Sequence, residues 1–242
     1  MHAVMFAFIV FVPCFFLGVT DSHSSNDLID IPTAEITEYH TMDVNFRLYT
    51  GGGIVSRLSF GVFNQLNVGG SMDVDKLIGS VPPEVRPPVF YFKFRFYDGS
   101  DRLPALALGY DGQGYDYNHA SGTYIHREKG IYLVATLETL LPNLELTMGA
   151  NLNFTRTTTR DEAHLYGFAG VDYSITDQGK KVLSIIGEYN NLSRNTDDTI
   201  LNAGLRFHPA FDLDIDFSFS DIMSPRKTDP ERLIRINYRT KF

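Results

Sequence analysis

The chain has 242 residues, with 21 basic and 29 acidic side chains, a formal charge of -8 and one cysteine. An acidic chain with no basic cluster is a poor partner for nucleic acid. No apolar run beyond the N-terminus is long enough for a membrane helix. The length suits a single large all-β domain.

Residues 1–18 are apolar and end in Val19-Thr20-Asp21-Ser22, which reads as a secretory signal peptide over 1–22 with His2 as its only near-basic residue. An uncleaved anchor helix is the alternative. Cys14 lies inside this segment after Val12-Pro13, where a lipoprotein acceptor would need a small residue. Cleavage near residues 20–24 leaves no thiol for a disulfide or a metal site. Residues 23–41 form a polar leader expected in the periplasm, and 42–242 hold the patterned part of the chain.

From residue 42 onward apolar and polar residues alternate with period two, the mark of strands. Twelve stretches follow: 42–50, 54–63, 65–73, 89–97, 104–111, 130–139, 144–153, 164–174, 180–189, 199–208, 211–220 and 233–242. The pattern is weakest in 164–174. It is strictest in 211–220, where Phe211, Leu213, Ile215, Phe217 and Phe219 oppose Asp212, Asp214, Asp216, Ser218 and Ser220. In the last stretch Ile234, Ile236, Tyr238, Thr240 and Phe242 oppose Arg235, Asn237, Arg239 and Lys241. Strands of about ten residues, apolar on one face and wet on the other, fit a tilted crossing of an outer membrane.

The connections alternate between short and long after the first, as in bacterial barrels with tight periplasmic turns and long outer loops. Gly51-Gly52-Gly53 is a tight exception, and glycine supplies the positive φ that such a turn needs. Asp98-Gly99 and Pro142-Asn143 are turn formers, while the proline pairs 82–83 and 87–88 keep loop 74–88 out of a ladder. The reading is a closed antiparallel transmembrane β-barrel of about twelve strands in a bacterial outer membrane. A soluble secreted barrel is the alternative.

Alternation points Arg47, Arg57, Lys93, Arg95, Glu145, Glu188, Arg206, Asp212, Asp214, Asp216, Arg235, Arg239 and Lys241 into the lumen. With Ser220 facing Leu233, Asp214 falls opposite Arg239 and Asp212 opposite Lys241, and a slip of two residues moves these partners along. Acid against base across neighbouring strands gives either an ion-paired plug or a charged constriction. Tyr110, Asp111, Tyr115, Asp116 and Tyr117 are the ligand-binding candidates, since tyrosines beside acids and amides suit a glycan. An aromatic girdle is the alternative for that tract. The histidines show no metal-ligand spacing and there is no nucleophile elbow, so neither a metal, a cofactor nor a catalytic residue is assigned.

The leader LIDIPTAEI and the segment DVNFRLYTGGGIVSRLSFGVFNQLNVGGSM carry Pro32, Thr33, Ala34, Arg57, Leu58, Ser59, Leu66, Asn67 and Gly69. On these residues, with GYDGQGY at 109–115, the chain resembles the start of the YjbH-like group of bacterial outer-membrane β-barrel proteins. The better-known members are much longer, so the resemblance covers a single barrel. It implies a part in exopolysaccharide production or secretion, and no enzymatic activity. Together the residues and the resemblance point to a pore or accessory component passing a polysaccharide or small solute. The surroundings would be outer-membrane lipid, and Phe242 would engage the barrel-assembly machinery. An enzyme working at the rim through His119 or His126, or a structural or adhesive surface protein, are the other readings.

Overall fold

The computed structural model describes residues 25–100, 102–126, 128–139, 141–156, 161–192, 199–223 and 230–242; the signal-peptide segment lies outside them. The strands are β1 Thr41–Tyr49, β2 Gly53–Phe63, β3 Leu66–Asp75, β4 Glu84–Val85, β5 Val89–Tyr97, β6 Ala105–Asp111, β7 Tyr115–Asn118, β8 Thr123–His126, β9 Gly130–Glu138, β10 Leu144–Arg156, β11 Asp161–Asp177, β12 Lys180–Leu192, β13 Ile200–Ala210, β14 Leu213–Ser220 and β15 Glu231–Lys241. Twelve of them form a closed antiparallel barrel. β1 pairs on one side with β2 and on the other with β15, which runs from Thr41↔Lys241 to Tyr49↔Leu233. Closure matters because lipid offers no partner to a free strand edge.

The alternation read from the sequence sorts the two faces. Along β15, Glu231, Leu233, Arg235 and Asn237 are buried while Arg232, Ile234, Ile236 and Tyr238 are exposed. Exposed apolar side chains continue around the wall, among them Leu133, Met148, Leu165 and Phe217. Here exposure means contact with lipid. Eleven residues rise about 36 Å along a strand, and a tilt near 40° reduces that to about 28 Å, enough for the apolar band of an outer-membrane barrel. Among the described residues no helix is long and apolar enough to cross a membrane. The chain is an outer-membrane β-barrel.

The weakly patterned stretch 164–174 belongs to β11, at 17 residues the longest strand. Its alternation is blurred because the inward face carries Tyr166 and Phe168, both buried, so apolar side chains occur on both faces. At 211–220 the strand begins two residues late, since Phe211 and Asp212 form the turn. The preceding register shift, between Phe207 and Ala210, brackets Pro209, which has no N–H to give to a ladder. Gly51 and Gly52 take φ of 90° and 80° in the tight link after β1.

Two features were not expected. The loop between β6 and β9 contains its own hairpin, β7 against β8, with Tyr115 paired to His126. The leader, expected in the periplasm, instead enters the barrel.

Candidate functional site

The inside of the barrel is occupied by residues 25–37. Leu28 N–H donates to the Ile31 carbonyl at 3.0 Å, and Thr33 N–H donates to the Asn26 carbonyl at 3.0 Å. Asp27 and Pro32 form a bridge between them. The leader is therefore a small hairpin with its tip at Leu28-Ile29-Asp30-Ile31 and both arms running toward the end that holds β1's first residue. Asn26 Nδ2 donates to Thr37 Oγ1 at 2.8 Å and so clasps the two arms.

A buried hairpin tip must find partners for its main chain, and the wall supplies them. The N–H groups of Ile29, Asp30 and Ile31 donate to Glu188 at 2.9, 2.9 and 3.2 Å. Asn202 holds that carboxylate from the other side at 2.6 Å. The carbonyls of Asp27 and Leu28 accept from Arg206 at 3.0 and 2.9 Å. Arg235 also donates to the Leu28 carbonyl, and Arg47 to that of Ile29. Further down, Lys93 donates to the carbonyls of Asn26 and Glu35 at 2.7 and 2.9 Å, and Ala34 N–H donates to Thr136 Oγ1 at 2.9 Å. The tip's side chains bury too. Leu28, Ile29, Ile31 and Ala34 join Val134, Phe168 and Ile186 in one apolar cluster inside the lumen. Gly170 leaves room for them, because a Cβ there would meet Leu28 Cδ1 at 2.5 Å.

Charges follow the same arrangement. Asp30 pairs with Arg47 at 2.8 Å, and Asp27 with Arg57 at 3.3 Å, while Arg57 also reaches Asp111. Arg206 and Arg235 share one carboxylate, Asp216, with Arg206 at 2.9 Å, and Asp172 lies 3.7 Å from Arg206. Burial works against ionising Asp27, but Lys93, Arg57, Arg235 and Arg47 outweigh it and hold the carboxyl below the usual range. Burial also opposes ionisation of Asp30, and Arg47, His126 and Lys129 again win. For Glu35 burial prevails over Arg95, and its carboxyl is pushed up.

The remaining inward candidates lie nearer the terminus-bearing end. Arg95 meets Glu35 at 3.2 Å and Asp98 at 2.9 Å, and Glu145 meets Lys181 at 3.2 Å. The β14–β15 register is displaced by two residues from the expected one. Asp216 faces Arg235 and Asp214 faces Asn237, so Asp214 pairs with His208 at 2.7 Å instead of with Arg239. Arg239 turns to Asp43 at 3.4 Å. Asp212, in the turn, takes the Arg239 N–H on its carbonyl, and Lys241 is a mostly exposed rim residue beside Glu38. Neither faces the other.

The tyrosine tract is divided. Tyr110 stacks near Phe92 on the outward face, with ring centres 6.5 Å apart. Asp111 joins Arg57 inside. Tyr115 is buried, its hydroxyl 3.2 Å from Asp30. Tyr117, on β7, lies under the Arg86 guanidinium, 3.8 Å above its ring, and Asp116 lies beside His126 and Glu231. Sequence reading missed Asp27, Asp30 and Glu35 because the leader has no period. It also passed over Asp43, though Asp43, Asn45 and Arg47 share one face of β1.

With the leader in place, narrow cavities of about 30 and 40 Å³ lie beside it among the described residues. Each holds a water or two. One lies among Asp27, Arg57 and Lys93, the other among Asp30, Arg47 and Lys129.

No protein-family model and no curated protein matches the sequence. Among solved structures the barrel resembles a KdgM porin, with a TM-score of 0.53 and 10% identity over 82% of this chain and 98% of that one. A KdgM porin in complex with disordered oligogalacturonate gives 0.53 and 12%, over 84% and 99%. A NanC porin gives 0.46 and 13%, over 83% and 99%. The likeness is one of fold.

Proposed function

We propose that the protein is an outer-membrane channel for small anionic solutes, held shut by its own leader. The observation that carries this is where the lumen's cations find their partners. Arg47 pairs with Asp30, Lys93 donates to two leader carbonyls, and Arg206 and Arg235 share Asp216, with Asp172 3.7 Å from Arg206, and both donate to the carbonyls of the tip. Withdrawal of the leader removes three carboxylates, Asp27, Asp30 and Glu35, and leaves Arg47, Arg57, Lys93, Lys129, Arg206 and Arg235 in excess over the wall acids Asp111, Asp172, Glu188 and Asp216. Rings of cationic side chains favour anions in a pore. A carboxylate-bearing oligosaccharide, of the kind named for the KdgM complex, is a solute of the charge such a wall would favour. Export of an exopolysaccharide, the role implied by the YjbH-like resemblance, would use the same cations where the polymer carries acidic groups. Phe242, exposed at the rim with its N–H on the His40 carbonyl, is the proposed contact for the assembly machinery.

The burial of the tip favours a second reading, a permanently sealed structural barrel. One experiment separates the two: conductance of the full chain and of Asp27→Asn/Asp30→Asn in planar bilayers under a salt gradient. The channel reading expects rare openings in the native chain, frequent ones in the variant, and a reversal potential of the anion-selective sign. No current from either, with both folded, supports the sealed barrel; cation selectivity contradicts the assignment of solute.

A further inference from the structure

A second cluster of chemistry lies at the opposite end of the lumen from the chain terminus, away from the leader's arms. The hairpin β7–β8 packs against the outer end of β3 and brings Asp116 and His126 beside Glu231, the first residue of β15. One oxygen from each carboxylate and one ring nitrogen lie within 4.8 Å of one another. His126 and Glu231 are buried and Asp116 is half-buried.

Each side chain is constrained. The His126 ring stacks on Tyr115, with centres 4.3 Å apart and planes 4° from parallel. Glu231 Oε1 takes the Thr50 N–H at 2.7 Å, which fixes the carboxylate. Asp116 adopts φ of 59°, a left-handed conformation unusual for a residue with a side chain. Such strain is found where the surroundings impose a geometry.

The neighbourhood is rich in negative charge. Tyr49 donates its hydroxyl to Asp73 at 2.9 Å and lies 3.5 Å from Asp75, and its ring packs on Tyr115 at 5.3 Å. Asp73 is fully buried, and among the described residues its second oxygen, Oδ2, has no hydrogen-bond partner. Asp73 also lies within electrostatic reach of Asp116. A buried carboxylate oxygen beside two further carboxylates is costly unless positive charge is nearby, and Arg86 is a cation within its electrostatic reach.

We propose that Asp116, His126 and Glu231 bind a first-row divalent cation, of which Zn²⁺ is the probe of choice, and that the ion ties the β7–β8 hairpin to β15. An imidazole with two carboxylates is a borderline N/O donor set that suits such ions better than Ca²⁺ or Mg²⁺. Tetrahedral Zn²⁺ with bonds of about 2.0–2.2 Å places donors about 3.4 Å apart, so a contraction of at most about 1.4 Å completes the site. Because Tyr115 both supports His126 and reaches Asp30, the bound ion would stiffen the roof over the leader tip. The site stands whether or not the lumen conducts.

The test is calorimetric titration of Zn²⁺ into the untagged full chain in detergent, with Asp116→Asn and His126→Ala in parallel. Asparagine keeps the shape of aspartate and tolerates the left-handed backbone, so D116N remains folded even if H126A does not; heat-modifiable migration on gels verifies each. One ion per chain is expected, with affinity reduced about tenfold or more in either variant, since losing even a hydrogen-bond partner of a ligand costs about 10–100-fold. Absence of a one-to-one isotherm, or an isotherm that D116N leaves unchanged, overturns the proposal. Binding of Mg²⁺ as tight as that of Zn²⁺ overturns it equally.

Discussion

Glu188, on the barrel wall, accepts the backbone N–H of Asp30 at 2.9 Å through one carboxylate oxygen and at 3.0 Å through the other. A side chain that would otherwise line a channel thus caps the tip of the chain's own leader. Together with the adjacent N–H groups of Ile29 and Ile31, this makes the tip a cradle for an anion, a recurrent use of consecutive backbone amides. The wall supplies the anion and the leader supplies the cradle.

Glu188→Ala should therefore free the tip. Hydrogen bonds to a charged group contribute about 1.5–3 kcal/mol each before mutual overlap, so leader docking should weaken by about tenfold or more. The rate at which a protease clips residues 25–37 in the folded barrel measures this. An unchanged rate would place the docking energy in the other wall contacts, the bonds of Arg206, Arg235 and Lys93 to leader carbonyls and the apolar cluster.

Those apolar contacts are tested at Gly170. Its missing side chain leaves the space that Leu28 and Ile31 fill, with Cδ1 atoms 2.5 and 2.8 Å from where a Cβ would stand. The nearest atoms are ends of flexible side chains, so alanine should be tolerated. Gly170→Val should push the tip out, because full burial of a leucine or isoleucine contributes about 1.5–3 kcal/mol. Protease access to the leader should rise while heat-modifiable migration persists.

The wall itself depends on Asp216, the shared partner of Arg206 and Arg235. Asp216→Asn takes from buried Arg235 its carboxylate and leaves Arg206 with Asp172 alone, 3.7 Å away, a change that costs about 3–5 kcal/mol when a buried pair is broken. Unfolding by urea in detergent should show it. Exposed pairs such as Lys241–Glu38 should show almost nothing on removal.

Acid should act on the leader in a defined direction. Asp27 and Asp30 have carboxyls held below the usual range, so their contribution to docking is present above the ordinary carboxylate value, about 3.9, and is lost as the pH falls through the lowered values. Glu35, pushed up by burial, works oppositely; its contribution is present in acid and lost as the pH rises through its raised value. The leader of Glu35→Gln should then be docked more firmly at neutral pH than the native one. Fluorescence of a probe on the leader, followed from pH 3 to 8, should give both limbs.

The wall was legible in the sequence because lipid on one side and a wet lumen on the other impose period two. The bounds of β5 followed from that pattern, those of β9 to within one residue, and Gly51-Gly52 marked a turn by its chemistry. The register of β14 and β15 was legible only to within two residues, since sliding by two preserves which face each side chain occupies. Where both faces carry apolar groups, as around Tyr166 and Phe168, the signal faded. The leader was not legible at all. Asp27 and Asp30 have no periodic context, and their partners, Arg57 and Arg47, are distant in sequence.

The central claim is that the leader occupies the conducting path. Ala34 and Thr136, joined by the 2.9 Å bond from the Ala34 N–H, are placed to lock it. In a Cys14→Ser background, Ala34→Cys/Thr136→Cys should conduct ions only after reduction and fall silent on reoxidation. Equal conductance in the oxidised and reduced states would contradict the claim.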